Sequence, residues 1–249
     1  MSISFLGNNT SYISVPSNDG LNFGTEDYTV EWFQYQTDTN TIPRIFQRGT
    51  SSASGGFMGF IISISTAPGA RGYFFMRNTN LYRLTTDTYR NKWIHFAICR
   101  SAGITTIYMD GVRLFAMYDT YNYTITEDLF IGNDSTLDSN KAFGGYLYYF
   151  HIIKGVAKYT SSFTVSTAMV TAIPETVLLL TANGASGSLG HTITNNAGTF
   201  DIIPTLVPNV TVNKKLTFSD NSRVYYKKSS LAPGGIGGVR NHRKKARKT

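Results

Sequence analysis

Three carboxylates fall within six residues in Glu26-Asp27-Tyr-Thr-Val-Glu31, and paired carboxylates are the working groups of glycosidases. A retaining enzyme needs two of them about 5 Å apart on one face. On an extended chain Glu26 and Glu31 have opposite parity, while Asp27 and Glu31 share a face but stand about 13 Å apart. The segment therefore reads as a strand with Glu31 on its solvent face, not as a catalytic pair. The four histidines, at 95, 151, 191 and 242, show neither HxH nor HExxH spacing, so a metal enzyme is not expected. The chain lacks a GxSxG elbow and a GxxxxGK[ST] phosphate loop. Its single cysteine, Cys99, excludes an internal disulfide framework and lies in a run too apolar for an activated thiolate.

Other oxygen-rich positions have simpler readings. Asp110-Gly111 is a turn pair, and Asn133, Asp134 and Asp138 share a loop with nothing to fix the convergence that a hard cation needs. No metal and no other cofactor is expected. Gly234-Gly-Ile-Gly-Gly238 follows Pro233 and reads as a flexible spacer. Tyr118, Tyr121 and Tyr123, with Tyr148 and Tyr149, are candidates for stacking on a glycan, for a protein interface or for the core.

The elements that must position these groups are strands. Gly numbers 23 and Tyr and Phe 16 each, whereas charged residues make up 15% of the 249, a bias toward pleated sheet and tight turns. Residues 28–35 alternate, with Val30 and Trp32 on one face and Thr29, Glu31 and Phe33 on the other, as a half-buried strand does. Residues 93–99 are apolar on both faces and suit a central strand, which makes Cys99 a buried small hydrophobe. Asp110-Gly111 between the strand-like runs 104–109 and 112–117 predicts a type I′ hairpin. Further strands are expected at 12–15, 61–65, 72–77, 81–85, 129–132, 146–153 and 176–181, separated by turn-rich stretches such as 51–56 and 134–140. Many short strands without an amphipathic helix indicate an all-β sandwich of two antiparallel sheets.

Charge is split along the chain. Residues 1–213 hold 12 Lys+Arg against 14 Asp+Glu, and residues 214–249 hold 11 against 1. Electrostatic arguments about partners therefore concern the C-terminal run, above all Arg240, Arg243, Lys244, Lys245, Arg247 and Lys248. The opening MSISFLGNNTSYISV lacks the basic and apolar regions of a signal peptide, and no apolar run is long enough to span a membrane.

Four blocks, in order, carry a family resemblance: Ser4-Phe-Leu to Tyr12-Ile-Ser-Val; Asp27-Tyr-Thr-Val-Glu-Trp; Lys92-Trp-Ile-His-Phe-Ala to Ile107-Tyr-Met-Asp-Gly-Val; and Leu129-Phe-Ile-Gly to Gly144-Gly-Tyr-Leu-Tyr-Tyr-Phe-His-Ile-Ile-Lys-Gly-Val-Ala-Lys-Tyr. Over residues 2–185 the chain resembles the concanavalin A-like jelly roll of the laminin G type. It departs where the family usually carries an acidic residue followed by Phe-Arg, since Tyr149, Phe150 and His151 stand there. The resemblance implies a jelly roll over 1–205, an extended linker with a short strand over 206–228, and a Gly-rich basic tail over 229–249. The tail is similar to C-terminal extensions on structural proteins of nucleocytoplasmic large DNA viruses. Together these imply a non-enzymatic minor capsid component, assembled in the host cytoplasm into the virion. It would dock on major and other minor capsid proteins by its jelly roll and anchor by its basic arm. Two alternatives stand beside this: a glycan-binding, lectin-like module, and nucleic-acid packaging through the tail.

Overall fold

Asp110 and Gly111 adopt φ of 50° and 79°, the two positive values that a type I′ turn requires, and the predicted hairpin forms around them. The computed structural model describes residues 2–37, 40–49, 58–65, 67, 70–78, 80–166, 168 and 170–181, with the backbone of four short strands beyond. Chain order runs β1 (Ile3–Leu6), β2 (Ile13–Val15), β3 (Tyr28–Gln36), β4 (Arg44–Arg48), β5 (Met58–Ser63) and β6 (Gly72–Arg77). It continues through β7 (Asn80–Arg83), β8 (Trp93–Ser101), β9 (Ile104–Met109), β10 (Val112–Tyr118), β11 (Leu129–Ile131) and β12 (Gly144–Lys154). Then come β13 (Thr176–Thr181), β14 (Gly184–Ser186), β15 (Ile193–Asn195), β16 (Thr199–Phe200) and β17 (Val210–Val212). The expected turn stretch 51–56 and the six basic tail residues lie outside the described residues.

The strands form two sheets. The front sheet has the order β10-β9-β8-β3-β12-β1-β16, with β13 also pairing β12 and carrying β14. The second sheet has the order β17-β15-β2-β11-β4-β5-β6-β7. Pairings are antiparallel except β15 with β17, which run parallel. Inner faces meet around Trp32, fully buried, whose ring lies 5.6 Å from Phe46 and 4.8 Å from Phe60 of the second sheet. Phe96 and Phe150 flank it within its own sheet. Its indole N–H donates to Gln34 Oε1 at 2.8 Å, so the largest core side chain leaves no orphan donor.

One expectation is corrected here. β3 is not half-buried: every residue from Tyr28 to Trp32 is buried, Thr29 and Glu31 included. The reason is long-range, because the segment after β12 folds back as a strap over the outer face of the front sheet. Thr29 Oγ1 donates to the Val156 carbonyl and accepts from the Lys158 amide, both at 2.9 Å. Ala157, Tyr159 and Phe163 pack on Ala97, Cys99 and Tyr108. The Phe163 amide closes the strap on the Gly111 carbonyl at 2.9 Å.

Candidate functional site

The strap divides the outer face of the front sheet into a covered half and an open half. The covered half centres on Glu31, fully buried in place of the solvent exposure that parity suggested. Glu31 Oε1 accepts from His151 Nδ1 at 3.0 Å and from Lys158 Nζ at 2.6 Å. Oε2 accepts from the Tyr159 hydroxyl at 2.9 Å, with His95 Nε2 at 3.5 Å. Behind them, His151 Nε2 meets Thr176 Oγ1 at 2.8 Å and His95 Nε2 meets the Tyr149 hydroxyl at 3.0 Å. Burial alone would raise the Glu31 carboxyl, but the hydrogen bonds of His151 and His95 and the Lys158 charge hold it well below the usual carboxylate range. His151, where the family resemblance would place an arginine, is thus hydrogen-bonded to Glu31.

The Glu31 carboxylate is saturated. A nucleophile or general base needs a free lone pair facing a cleft, and a general acid must carry a proton; both Glu31 oxygens are engaged beneath the strap, and its carboxyl is held ionised. The neighbouring carboxylates also have structural tasks. Asp27 Oδ1 accepts the Ala102 amide at 2.9 Å, and Glu26 pairs with Lys154 at 3.4 Å. In the loop weighed for a cation, Asp134 pairs with Lys141 at 2.7 Å and accepts from Thr136. Among the described residues no group of three His, Cys, Asp or Glu is arranged to hold a metal ion.

The open half is aromatic. The register sets Trp93 of β8 opposite Tyr35 of β3, and Tyr35 opposite Tyr146 of β12, in one row across three strands. Ring centroids are 5.4 Å apart for Trp93 and Tyr35 and 6.1 Å apart for Tyr35 and Tyr146. Trp93 and Tyr146 are 41% and 40% exposed, well above the near-zero exposure of the core rings, so both present surface to solvent. A second row, His95, Phe33 and Tyr149, runs beside the first toward the strap. A β-bulge between Leu147 and Tyr149 inserts Tyr148, whose ring stands 6.2 Å from Phe33. The extra residue resets the alternation. Tyr146, Tyr149 and His151 then share the outer face while Leu147 and Phe150 stay in the core.

The tyrosines singled out from the sequence fare differently. Tyr118 is 86% exposed at the end of β10. Tyr121 is half-buried, 5.1 Å from the Tyr123 ring. Tyr123 is a correction: it is fully buried, and its hydroxyl donates to the buried Asp119 carboxylate at 2.8 Å. Asp119 also accepts from Arg77 and Thr105, so this loop is tied into the core and cannot offer Tyr123 to a ligand. Tyr149 is buried as well, and Tyr148 is half-buried. The row of Trp93, Tyr35 and Tyr146 escaped sequence reasoning, because its members are separated by more than fifty residues at each step and only the strand register joins them.

Comparison with known proteins accords with this architecture. A family model described as the concanavalin A-like lectin/glucanases superfamily, laminin G type, matches residues 6–158. Among solved structures, a proposed carbohydrate binding protein from Bacteroides ovatus is similar, with a TM-score of 0.54 and 17% identity; the match covers 78% of this chain and 59% of that one. This chain therefore spans about three fifths of that protein's length. Domain 4 of an extracellular arabinanase from Geobacillus stearothermophilus, in complex with arabinotriose, gives a TM-score of 0.47 and 17% identity over 63% of this chain and 72% of that domain. A SAP-like pentraxin from Limulus polyphemus gives 0.45 and 14% over 61% and 74%. No curated protein matches the sequence. The matched residues take in all of β12, the start of the strap and the whole Trp93–Tyr35–Tyr146 row, and on that match the chain belongs to the concanavalin A-like lectin/glucanases superfamily.

Proposed function

We propose that this protein is a non-catalytic carbohydrate-binding module that holds sugar on the open aromatic half of its front sheet. The observation that carries the reading is the exposed row of Trp93, Tyr35 and Tyr146 on three adjacent strands. Aromatic rings with polar tips suit a sugar, which presents C–H faces to the ring and hydroxyls around it. Rigid strands hold the rings without the ordering cost that a loop would add on binding. The superfamily description and the carbohydrate-binding assignment of the Bacteroides ovatus relative support the same ligand class. The saturation of Glu31 supports binding without hydrolysis.

A glycan microarray probed with the full chain tests this. Binding to at least one glycan is expected, weakened tenfold or more by Trp93→Ala, equivalent to about 1.4 kcal/mol. Tyr118→Ala, on the exposed end of β10, should leave it unchanged. Binding insensitive to Trp93→Ala would move the site elsewhere. Failure to bind any glycan would overturn the carbohydrate reading.

A second reading, a minor capsid component, draws on the ten net positive charges of residues 214–249, which suit acidic protein surfaces or nucleic acid. It is compatible with sugar binding, since a virion protein can carry a lectin-like face. Immunogold labelling of purified particles tests it, and absence of label inside and out would remove it.

A further inference from the structure

We infer that the side of the sandwich bounded by β7 and β10 is an interface for a second copy of this chain, joined edge to edge along β7. It lies away from the aromatic row and does not depend on sugar binding. β7 and β10 end the second and front sheets, and the Tyr82 and Phe115 rings, 5.7 Å apart, bridge the two layers there. Leu81, Val112 and Tyr118 are 56%, 64% and 86% exposed on these strands, and Ile104, opposite Tyr118 on β9, is exposed as well. Behind them Leu114, Phe115 and Met117 pack on the core. Large apolar side chains gathered in this way mark a surface that another protein covers.

The two edges differ in a way that selects β7 for pairing. Bare edges invite strand addition, and proteins guard them with bulges, charges or covering segments. β10 is guarded at both ends. Ser162 Oγ accepts the Arg113 amide and the Arg77 guanidinium donates to the Tyr118 carbonyl, both at 3.3 Å, and a bulge between Arg113 and Phe115 twists the strand between them. Among the described residues nothing covers β7 in this manner. The Leu84 amide donates to the Tyr73 carbonyl at 2.8 Å, so by alternation Leu81 and Arg83 turn their backbone N–H and C=O groups away from β6.

A second copy satisfies all four of these groups at once. With a two-fold axis at Tyr82, Leu81 of each copy exchanges both hydrogen bonds with Arg83 of the other. The leucine then packs on the Arg83 stem, whose Nε is already held by the Thr85 carbonyl at 3.1 Å. The seven residues of β10 make this side about 24 Å long, and two sheets about 10 Å apart with their side chains make it roughly 20 Å deep. Its projection is on the order of 500 Å², and accessible surface exceeds projection, so it approaches the roughly 800 Å² that each partner contributes to a stable complex. The axis of such a joint is perpendicular to the sheet, so both aromatic rows face one side of the dimer.

Sedimentation velocity of the full chain between about 1 and 100 µM, in about 0.3 M salt to screen the basic C-terminal run, reads the association. A dimer with a Kd of about 10 µM or tighter is expected. Leu81→Lys, the residue type natural edges carry, should weaken it tenfold or more, and Tyr118→Ser should weaken it too, each with cooperative urea unfolding. Leu6→Lys, at a leucine 61% exposed on β1, should leave it unchanged. Hydrogen exchange on the unaltered chain reads the edge itself: the Leu81 and Arg83 amides should gain protection as concentration rises, while the Leu84 amide is protected throughout. A monomer at the highest concentration would overturn the inference, even if another protein were found to bind there. So would a dimer indifferent to both substitutions, or one that leaves the Leu81 and Arg83 amides unprotected.

Discussion

Replacing Glu31 by Gln keeps the shape of the side chain and removes its charge, which isolates what the carboxylate does under the strap. Four donor atoms converge on its two oxygens: His151 Nδ1, Lys158 Nζ, the Tyr159 hydroxyl and, at longer range, His95 Nε2. A Gln amide must turn its NH2 group toward one of these pairs, setting donor against donor. The Lys158 ammonium loses its counter-charge at the same time. Breaking a fully buried charge pair from one side costs about 3–5 kcal/mol; the Lys158 side chain is 35% exposed and its ammonium regains water, which lowers the cost here to about 2–3 kcal/mol. A domain of this size loses roughly 2–4 °C in Tm per kcal/mol, so a fall of about 4–12 °C is expected at pH 7. The pH dependence supplies a second check. Because the folded Glu31 carboxyl lies below its unfolded value of 4.5, the ionised group stabilises the fold above that pH. The contribution is lost as pH falls through the folded value, at up to about 1.4 kcal/mol per unit. The gap between wild type and Glu31→Gln should therefore narrow progressively below pH 4.5. Urea unfolding from pH 7 down to pH 3 measures both. A difference under about 1 kcal/mol at pH 7, or one that stays constant into acid, would refute the account of Glu31 as the ionised anchor of the strap.

Two further outcomes follow from the same face. A Cβ on Gly111 would come within 2.0 Å of the Phe163 carbonyl oxygen, at a φ of +79°. Gly111→Val should therefore cost more than the roughly 1–3 kcal/mol of backbone strain alone, and it should speed trypsin cleavage at Lys158; an unchanged Tm and cleavage rate would contradict the hairpin-to-strap contact. Burial pushes the Cys99 thiol up to about 11, outweighing the hydrogen bonds of Thr29 and Tyr159. Maleimide at pH 8 should leave it unlabelled in the folded protein and modify one thiol in urea, whereas rapid native labelling would place Cys99 at an accessible surface.

Local patterns in the sequence made some of this legible and could not reach the rest. The Asp110-Gly111 hairpin and the doubly apolar run 93–99 were readable because a turn pair and an uninterrupted apolar stretch state their own conformation. β4 was not readable, because Arg44-Ile-Phe-Gln-Arg48 looks polar. Its buried Arg48 is tolerated only because the guanidinium donates to the carbonyls of Leu21, Ile125 and Glu127 and to Ser17 Oγ, partners from two distant loops. Glu31 was assigned to solvent by correct parity. What covers that face arrives more than 120 residues later, with Lys158 and Tyr159. The binding row failed for the same reason: alternation shows that Tyr35 points outward, but only register shows that Trp93 and Tyr146 stand beside it.

The position of β13 bears on where this unit can be cut and joined. The family match stops at residue 158, yet Val177, Leu178 and Leu180 belong to the central core, and Thr176 supplies the last partner of His151. β13 pairs along the edge of β12 just past the stretch that β1 occupies. The heritable pattern and the self-sufficient physical object therefore have different ends. A fusion partner spliced at residue 158 would replace the strand that seals β12, whereas one joined beyond residue 181 would leave that seal in place. In recombination between relatives, the interval from 158 to 181 must travel with what precedes it.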